Sequence, residues 1–569
     1  MSEAAASLRL PPEIDPEPEG KLIESVDVVV VDVFDQHDPV PDFFNVFHTM
    51  TRQVVVRREL LFQAGERFSA RHSDETARNL RNLRQLSLVL IVPLRGSAPD
   101  RVRMLVIVKD VWSLRMNSDF SYSNAGLGYL VLNPSEENLA GTHISLGALF
   151  RLDPGSYSFG GIVTDRRLFG TNLEAVVGMN LIYNRDNGRA EGSYGYFSYG
   201  APIRSTADDW GWGTGFYFRH DVARRFRGGE LETYDAPSTQ RDDALPVIYR
   251  AERISAAVEV TRSLGARDKY DFTAGFEAQR RAYRHQPPSG TPAAAEADFL
   301  RQWVPVSDTR IGPYLQLYMH SERYLRTVEL ETLGLQEDYR LGPEILLRFY
   351  PTSSELGSTR SLVGVESGAA YTLSLGDGLA RAVFDNDVQY AANGQHDAAY
   401  FARLRLASPR LGFGRLIADG LIGERYRNYL NRRYVLGGDD RLRGYPPGTF
   451  EDSFTGPHVV AMNVEFRTAS IDILSAQVGL ALFLDSGHAA DRFSELSLHQ
   501  SSGLGVRILF PQASRSVLRA DWAFPWEPAP GYRTFPGGFF LTFGQAFSMP
   551  LLYGGSIANP ETFLTTVAQ

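Results

Sequence analysis

Cysteine is absent from the 569 residues, which excludes a disulfide scaffold and any cysteine-ligated metal site. A chain without thiols suits an oxidising envelope compartment. Lysine is scarce, at Lys21, Lys109 and Lys269, so arginine carries nearly all the positive charge. Positive charge is itself in deficit: the formal net charge of -9 argues against a nucleic-acid partner. No apolar run reaches roughly 18 residues, so no transmembrane helix is expected. Transmembrane strands remain open, because their alternation gives the mean hydropathy of a soluble protein. The 11 histidines include no His-x-x-x-His pair, so neither a metal nor a cofactor is expected. There is no repeat with a period of roughly 20 to 50 residues, which disfavours a solenoid or propeller. The start, Met1-Ser-Glu-Ala-Ala-Ala, lacks the basic region and apolar core of a secretory signal.

What is present is aromatic and glycine-rich: 34 Phe, 26 Tyr and 52 Gly. Residues 1–22 are proline- and acid-rich and read as a flexible lead-in. Residues 23–110 follow the order β-α-α-β-β. A strand-like run, Val26–Phe34, opens this module. Val54–Leu61 leads towards the second helical stretch, 74–86, where Ala77, Leu80 and Leu83 recur at helical spacing. Strands over 87–93 and 102–109 complete a compact α/β module.

From 111 to 547 the chain reads as strand after strand. Leu173, Ala175, Val177, Met179, Leu181 and Tyr183 form one apolar face, closed by the turn signal Asp186-Asn187-Gly188. Leu518, Ala520, Trp522 and Phe524 alternate with Arg519 and Asp521. Charge at every other position needs water or a partner on that face, and a continuous apolar face needs lipid or a core. Strands of about 9–12 residues match a tilted membrane crossing. At about 27 residues per strand plus connection, this region predicts ~16 antiparallel strands in a transmembrane β-barrel. The fold class is therefore mainly β, with one small N-terminal α/β domain.

One stretch stands apart. Tyr434–Tyr445, followed by Pro446-Pro447-Gly448, is too rich in glycine and charge for a strand. Arg441 and Arg443, with Arg432 and Arg433 upstream, need partners. The strands that follow offer them. Alternation over His458–Arg467 puts Ala461, Asn463 and Glu465 on one face, and alternation over Gly479–Gly487 puts Gly479, Phe483, Asp485 and Gly487 inward. An arginine carried into a barrel costs desolvation unless a carboxylate receives it. Arg443 with Asp485, helped by Glu465, would make a directional contact that pins the loop.

Leu442-Arg443-Gly444-Tyr445 resembles the Arg-Gly-aromatic loop of the BamA/TamA outer-membrane insertase superfamily, also called the bacterial surface antigen family. The strands with Glu465, with Phe483-x-Asp485-x-Gly487 and with Gly503-x-Gly505-x-Arg507 follow in the order that the resemblance requires. Residues 23–110, through Arg57–Glu66 and Asn79–Leu83, resemble a POTRA domain. The run 538–547, with Phe543 and Phe547, resembles the terminal strand signal of outer-membrane barrels, and 548–569 then form an extra tail. The resemblance implies a bacterial outer-membrane protein with its POTRA domain in the periplasm. It would insert or translocate unfolded client polypeptides, with outer-membrane lipid around it and a possible periplasmic partner on the POTRA domain. An enzyme is not expected: Asp485-Ser486-Gly487-His488 superficially resembles a serine-hydrolase cluster, but Ser486 falls on the lipid-facing phase. Alternatives are a dedicated two-partner-type secretion channel and a passive structural barrel.

Overall fold

The computed structural model describes residues 13–34, 42–123, 126–227, 230–240, 242–439, 441–445, 455–528, 534–550 and 552. Pro446-Pro447-Gly448 and most of the 548–569 tail lie outside the described residues.

The N-terminal module is a three-stranded sheet with Arg101–Asp110 at its centre. Leu22–Val31 pairs with it in parallel and Leu86–Arg95 antiparallel. Valines and leucines dominate these strands, and β-branched side chains suit a pleated, half-buried surface. Helices Gln53–Arg57 and Ala70–Arg81 pack on one face around Val56, Phe62, Leu80 and Leu83. The second helix lies about one turn earlier than its apolar spacing suggests: it is capped at Asn82, and Leu83 packs from the loop beyond. Leu83 belongs to the core without belonging to the helix.

Among the described residues, 20 antiparallel strands close into a barrel, from Leu114–Ser123 to Gly538–Phe543. Two are interrupted: Asp308–Ser321 continues as Arg323–Val328, and His458–Thr468 as Ile471–Ile473. This corrects the expectation of ~16 strands. Several connections are tight turns, so each strand with its connection takes about 22 residues rather than 27. The barrel alternates as a lipid-facing wall must. Over Ala476–Ala490, Leu480, Leu482 and Leu484 are exposed outward while Ala481, Phe483 and Asp485 are buried inward.

The wall is uneven. Trp210–Arg224 and Ile248–Leu264 stay in register along the whole of the shorter strand. The closing strands meet, among the described residues, at Phe539 opposite Tyr122, Phe540 opposite Ser121 and Leu541 opposite Phe120. Beyond that point Phe543 N–H donates to the Asp119 carboxylate at 3.0 Å instead of continuing the ladder. The last strand ends at Phe543, not at Phe547 as the resemblance to a terminal strand signal implied. Gly544, at φ +99°, turns the chain away from the wall.

Both ends of the barrel carry added structure. The module sits at the end where the chain enters. Arg167 pairs with Glu59, Thr206 donates to Glu75, Arg71 donates to the Ala266 carbonyl and Arg81 pairs with Asp338. These turns are spread around the rim, so the module lies across that mouth. At the other end helix Ala293–Trp303 packs Ala295 and Phe299 against Ala236, Leu245 and Val247 of the 225–247 connection.

Candidate functional site

Between strands Gly414–Asn428 and His458–Thr468, residues 441–445 drop into the lumen, and local chemistry explains how. Leu442, at φ 54°, and Gly444, at φ +95°, both take left-handed backbone. A side chain on Gly444 would lie 3.2 Å from the backbone of Ala523 and Phe524, so glycine lets the loop touch the wall. Leu442 and Tyr445 are fully buried with Leu436, Val459, Ala461 and Ala489. Tyr445 donates its hydroxyl to the Gln500 carbonyl at 3.2 Å. The apolar anchors thus flank Arg443, which points inward.

Arg443 is completely buried. Its backbone N–H and Nε donate to Asp485 Oδ2 at 3.0 and 2.8 Å, and Nη2 donates to Oδ1 at 2.9 Å. Nη1 is shared between Glu465, at 3.0 Å, and Asp521, at 2.9 Å. The guanidinium lies 3.5 Å from the ring centre of Phe483. A cation held flat on an aromatic face gains further from the absence of competing water. An arginine side chain has five N–H groups, and here Nε, Nη1 and Nη2 all donate to carboxylates while the Phe483 ring covers one face.

The carboxylates are shared in turn. Arg507 donates to Glu465 at 2.8 Å and to Asp521 at 2.5 Å. Arg467 donates to Glu465 at 2.6 Å, and Arg519 to Asp521 at 3.0 Å and to the Asp439 carboxylate. Asn463 links Asp485, at 2.8 Å, to Arg441, and Arg441 pairs with Asp419, which also takes Arg405. Arg405 reaches Glu331 on an inward-folded turn. Six arginines (405, 441, 443, 467, 507, 519) thus face six carboxylates (331, 419, 439, 465, 485, 521), and the formal charge cancels. An uncompensated buried charge would shift or expel the group, so neutrality is what permits a network this large.

The glycines of the Gly503-x-Gly505-x-Arg507 strand make room. A Cβ on Gly503 would lie 2.3 Å from the Phe483 ring, and one on Gly505 2.0 Å from Asp521 Oδ1. Gly487 leaves similar space for Leu436. The structure therefore brings Leu442, Arg443, Gly444, Tyr445, Glu465, Phe483, Asp485, Gly487, Gly503, Gly505 and Arg507 into one body. Phe543 stays on the wall, at the end of the last strand, while Phe547 is buried in the lumen.

Sequence reasoning missed Asp521, Arg519, Arg467, Asp439, Asp419, Arg405 and Glu331 as members, and it marked Arg441 as needing a partner without finding Asp419. The inward phase of Arg519 and Asp521 was readable from alternation, but not their height in the barrel. Ser486 faces the opposite way from Asp485, opposite the outward Met462. Among the described residues no group of His, Asp and Glu could hold a metal ion.

Residues 407–547 match the family model described as the Omp85 superfamily domain, which contains all the sequence-predicted lumen residues. The likeness to the BamA/TamA superfamily is shown over these residues. No curated protein matches the chain. Among solved structures, CdiB from Acinetobacter baumannii is 12% identical with a TM-score of 0.39, over 92% of this chain and 74% of that one. CdiB from Escherichia coli is 10% identical with a TM-score of 0.40, over 92% and 77%. BamA from Haemophilus ducreyi lacking POTRA domains 1–3 is 13% identical with a TM-score of 0.34, over 92% and 84%.

Proposed function

We propose that this chain, with an Omp85 superfamily domain match over residues 407–547, is an outer-membrane β-barrel that inserts or translocates client polypeptides. The observation that carries the reading is the seam. A wall that is laddered over as many as 15 residue pairs elsewhere closes, among the described residues, through Phe539, Phe540 and Leu541 against Tyr122, Ser121 and Phe120. In lipid an unmade backbone hydrogen bond costs several kcal/mol, so strand pairs part where they are fewest. The Arg443 network holds the strands bearing Glu465, Asp485, Arg507 and Asp521 as one rigid body that reaches the strand before the seam. Its role is a conformational lock: it keeps the last strands in place while the seam opens.

The N-terminal module, read as a POTRA-like periplasmic domain, supplies the second part. Leu86–Arg95 is an edge strand, and Leu88 and Leu90 on it are exposed. An extended client can pair with such an edge by strand addition. The alternative reading, a dedicated secretion channel, sends the client through the lumen instead. It requires that the segments filling the lumen move aside.

Depletion of the protein followed by outer-membrane proteomics tests the reading. Insertase activity predicts that several barrel proteins fall together. Unchanged barrels with the loss of one secreted protein would replace it with the channel reading.

A further inference from the structure

The lumen contains a peptide. Beyond Gly544 the chain runs inward, and Ala546 and Phe547 are buried among Leu330, Leu379, Ala407 and Ile417. The barrel wall reads the backbone of this segment. Arg405 donates to the Phe547 carbonyl and, at 2.9 Å, to that of Ser548. Arg381 donates to the Pro550 carbonyl at 2.6 Å, and Arg403 reaches Ser548 at 3.4 Å. Gln545 bridges the Glu331 carbonyl and Arg507. The Phe547 ring lies 4.9 Å from the Arg405 guanidinium and 5.6–5.9 Å from those of Arg441, Arg443 and Arg467.

This arrangement selects weakly for sequence, because carbonyl oxygens are present in every peptide and the arginines contact carbonyls rather than side chains. The ring pocket adds one requirement, an aromatic side chain among cations. We propose that the lumen is a binding site for a peptide segment bearing an aromatic residue, and that Gly544–Pro550, with Leu552, occupies it as an internal plug. The tether makes weak binding sufficient. A short tether holds the segment at an effective concentration on the order of millimolar, so a site with a Kd of about 100 µM stays about nine-tenths filled. An untethered segment of the same form displaces the plug when it arrives at comparable local concentration. The plug shares its pocket with the Arg443 network, so its departure also removes Phe547 from those arginines and Gln545 from Arg507.

The inference rests on the reading of the barrel as a polypeptide conduit, but its test uses purified full-length protein and needs no client. A Cβ on Gly368 would lie 2.4 Å from the Leu552 side chain. Because the chain has no cysteine, Gly368→Cys with Leu552→Cys yields an unambiguous disulfide. We expect oxidation to form it, as a gel shift reversed by reductant. A free peptide of sequence Gly544–Leu552 should lower its yield, and the same peptide with Ala in place of Phe547 should need about tenfold more. In planar lipid bilayers, a chain truncated after Phe543 should conduct more than the full chain, and the peptide should return it towards the full-chain level. Phe547→Ala in the full chain replaces the truncation if the latter does not fold. Failure of the disulfide to form, or a truncated barrel that conducts no more than the full chain, overturns the proposal. A null result in client profiling instead removes the conduit reading and leaves the peptide site standing.

Discussion

Arg443 shows what a buried ion network does and does not provide. Moving each ion out of water carries a penalty of several kcal/mol, and the pairs regain it only with good geometry. Net stability is therefore not its purpose; position is. Arg443→Ala strands Asp485 with fewer donors, and a loss of about 3–5 kcal/mol is expected, measured as thermal unfolding in detergent. Asp485→Ala should lose a similar amount. The double variant should lose less than the sum, by at least about 0.5 kcal/mol, if the two act as a pair. Arg443→Lys should not rescue, because a single ammonium cannot serve three carboxylates on one plane. Gly505→Ala is expected to destabilise by forcing Asp521 away from Arg507, whereas Gly420→Ala, with open space around its Cβ, should have little effect. Alternation alone placed Glu465 and Asp485 inward. It could not place Asp521 beside Arg443, because phase along one strand does not reveal its vertical offset from a strand two positions away.

At the scale of elements the seam is the weak link. Ser121 and Phe540 face each other across it, and both are buried inward. Directly opposed residues of an antiparallel pair have Cα atoms roughly 4.5–5.5 Å apart, within disulfide range. Ser121→Cys with Phe540→Cys should therefore staple the wall shut under oxidising conditions. Client insertion should stop and return with reductant; undiminished insertion with the staple intact would argue that clients do not leave through this seam. The seam was not legible in the sequence. Phe539, Leu541, Phe543 and Phe547 sit at even spacings, in one phase, that continue a strand pattern. What ends the strand is the left-handed backbone at Gly544 and the pull of the lumen pocket on Phe547. The strand count was missed for a related reason: periodicity marks strands well, but it does not mark where a tight turn replaces a long one.

Across the whole molecule, the module is docked on the barrel through a buried polar hinge. Asp110 accepts from Thr51 N–H at 2.7 Å and lies 3.1 Å from His48 Nε2. The Thr51 hydroxyl accepts from Asn138 at 3.1 Å and is hydrogen-bonded to His143 Nε2 at 3.0 Å. Burial pushes the His143 imidazole, in the turn before its strand, down to about 4, against the opposing pull of Asp110. A depressed histidine disfavours protonation in the docked state. Its contribution, roughly 3 kcal/mol at most, is then present in full above about pH 6.5 and lost as pH falls towards about 4. Limited proteolysis between the module and the first barrel strand should therefore speed up over that window, and His143→Asn should flatten the dependence. An unchanged cleavage rate from pH 7 to pH 4 would place the docking energy elsewhere.

By itself the sequence determined the wall: alternating residues face lipid or lumen because a pleated strand has a period of two, and this holds without any long-range information. It also determined that Arg443 needed a carboxylate, because a buried guanidinium cannot be left unpaired. Tertiary structure alone decided how many strands close the ring and which carboxylates share the arginine. It also decided that the segment after Gly544 fills the lumen. Each of those depends on the offsets between strands distant in sequence, and those offsets are set only when the barrel closes.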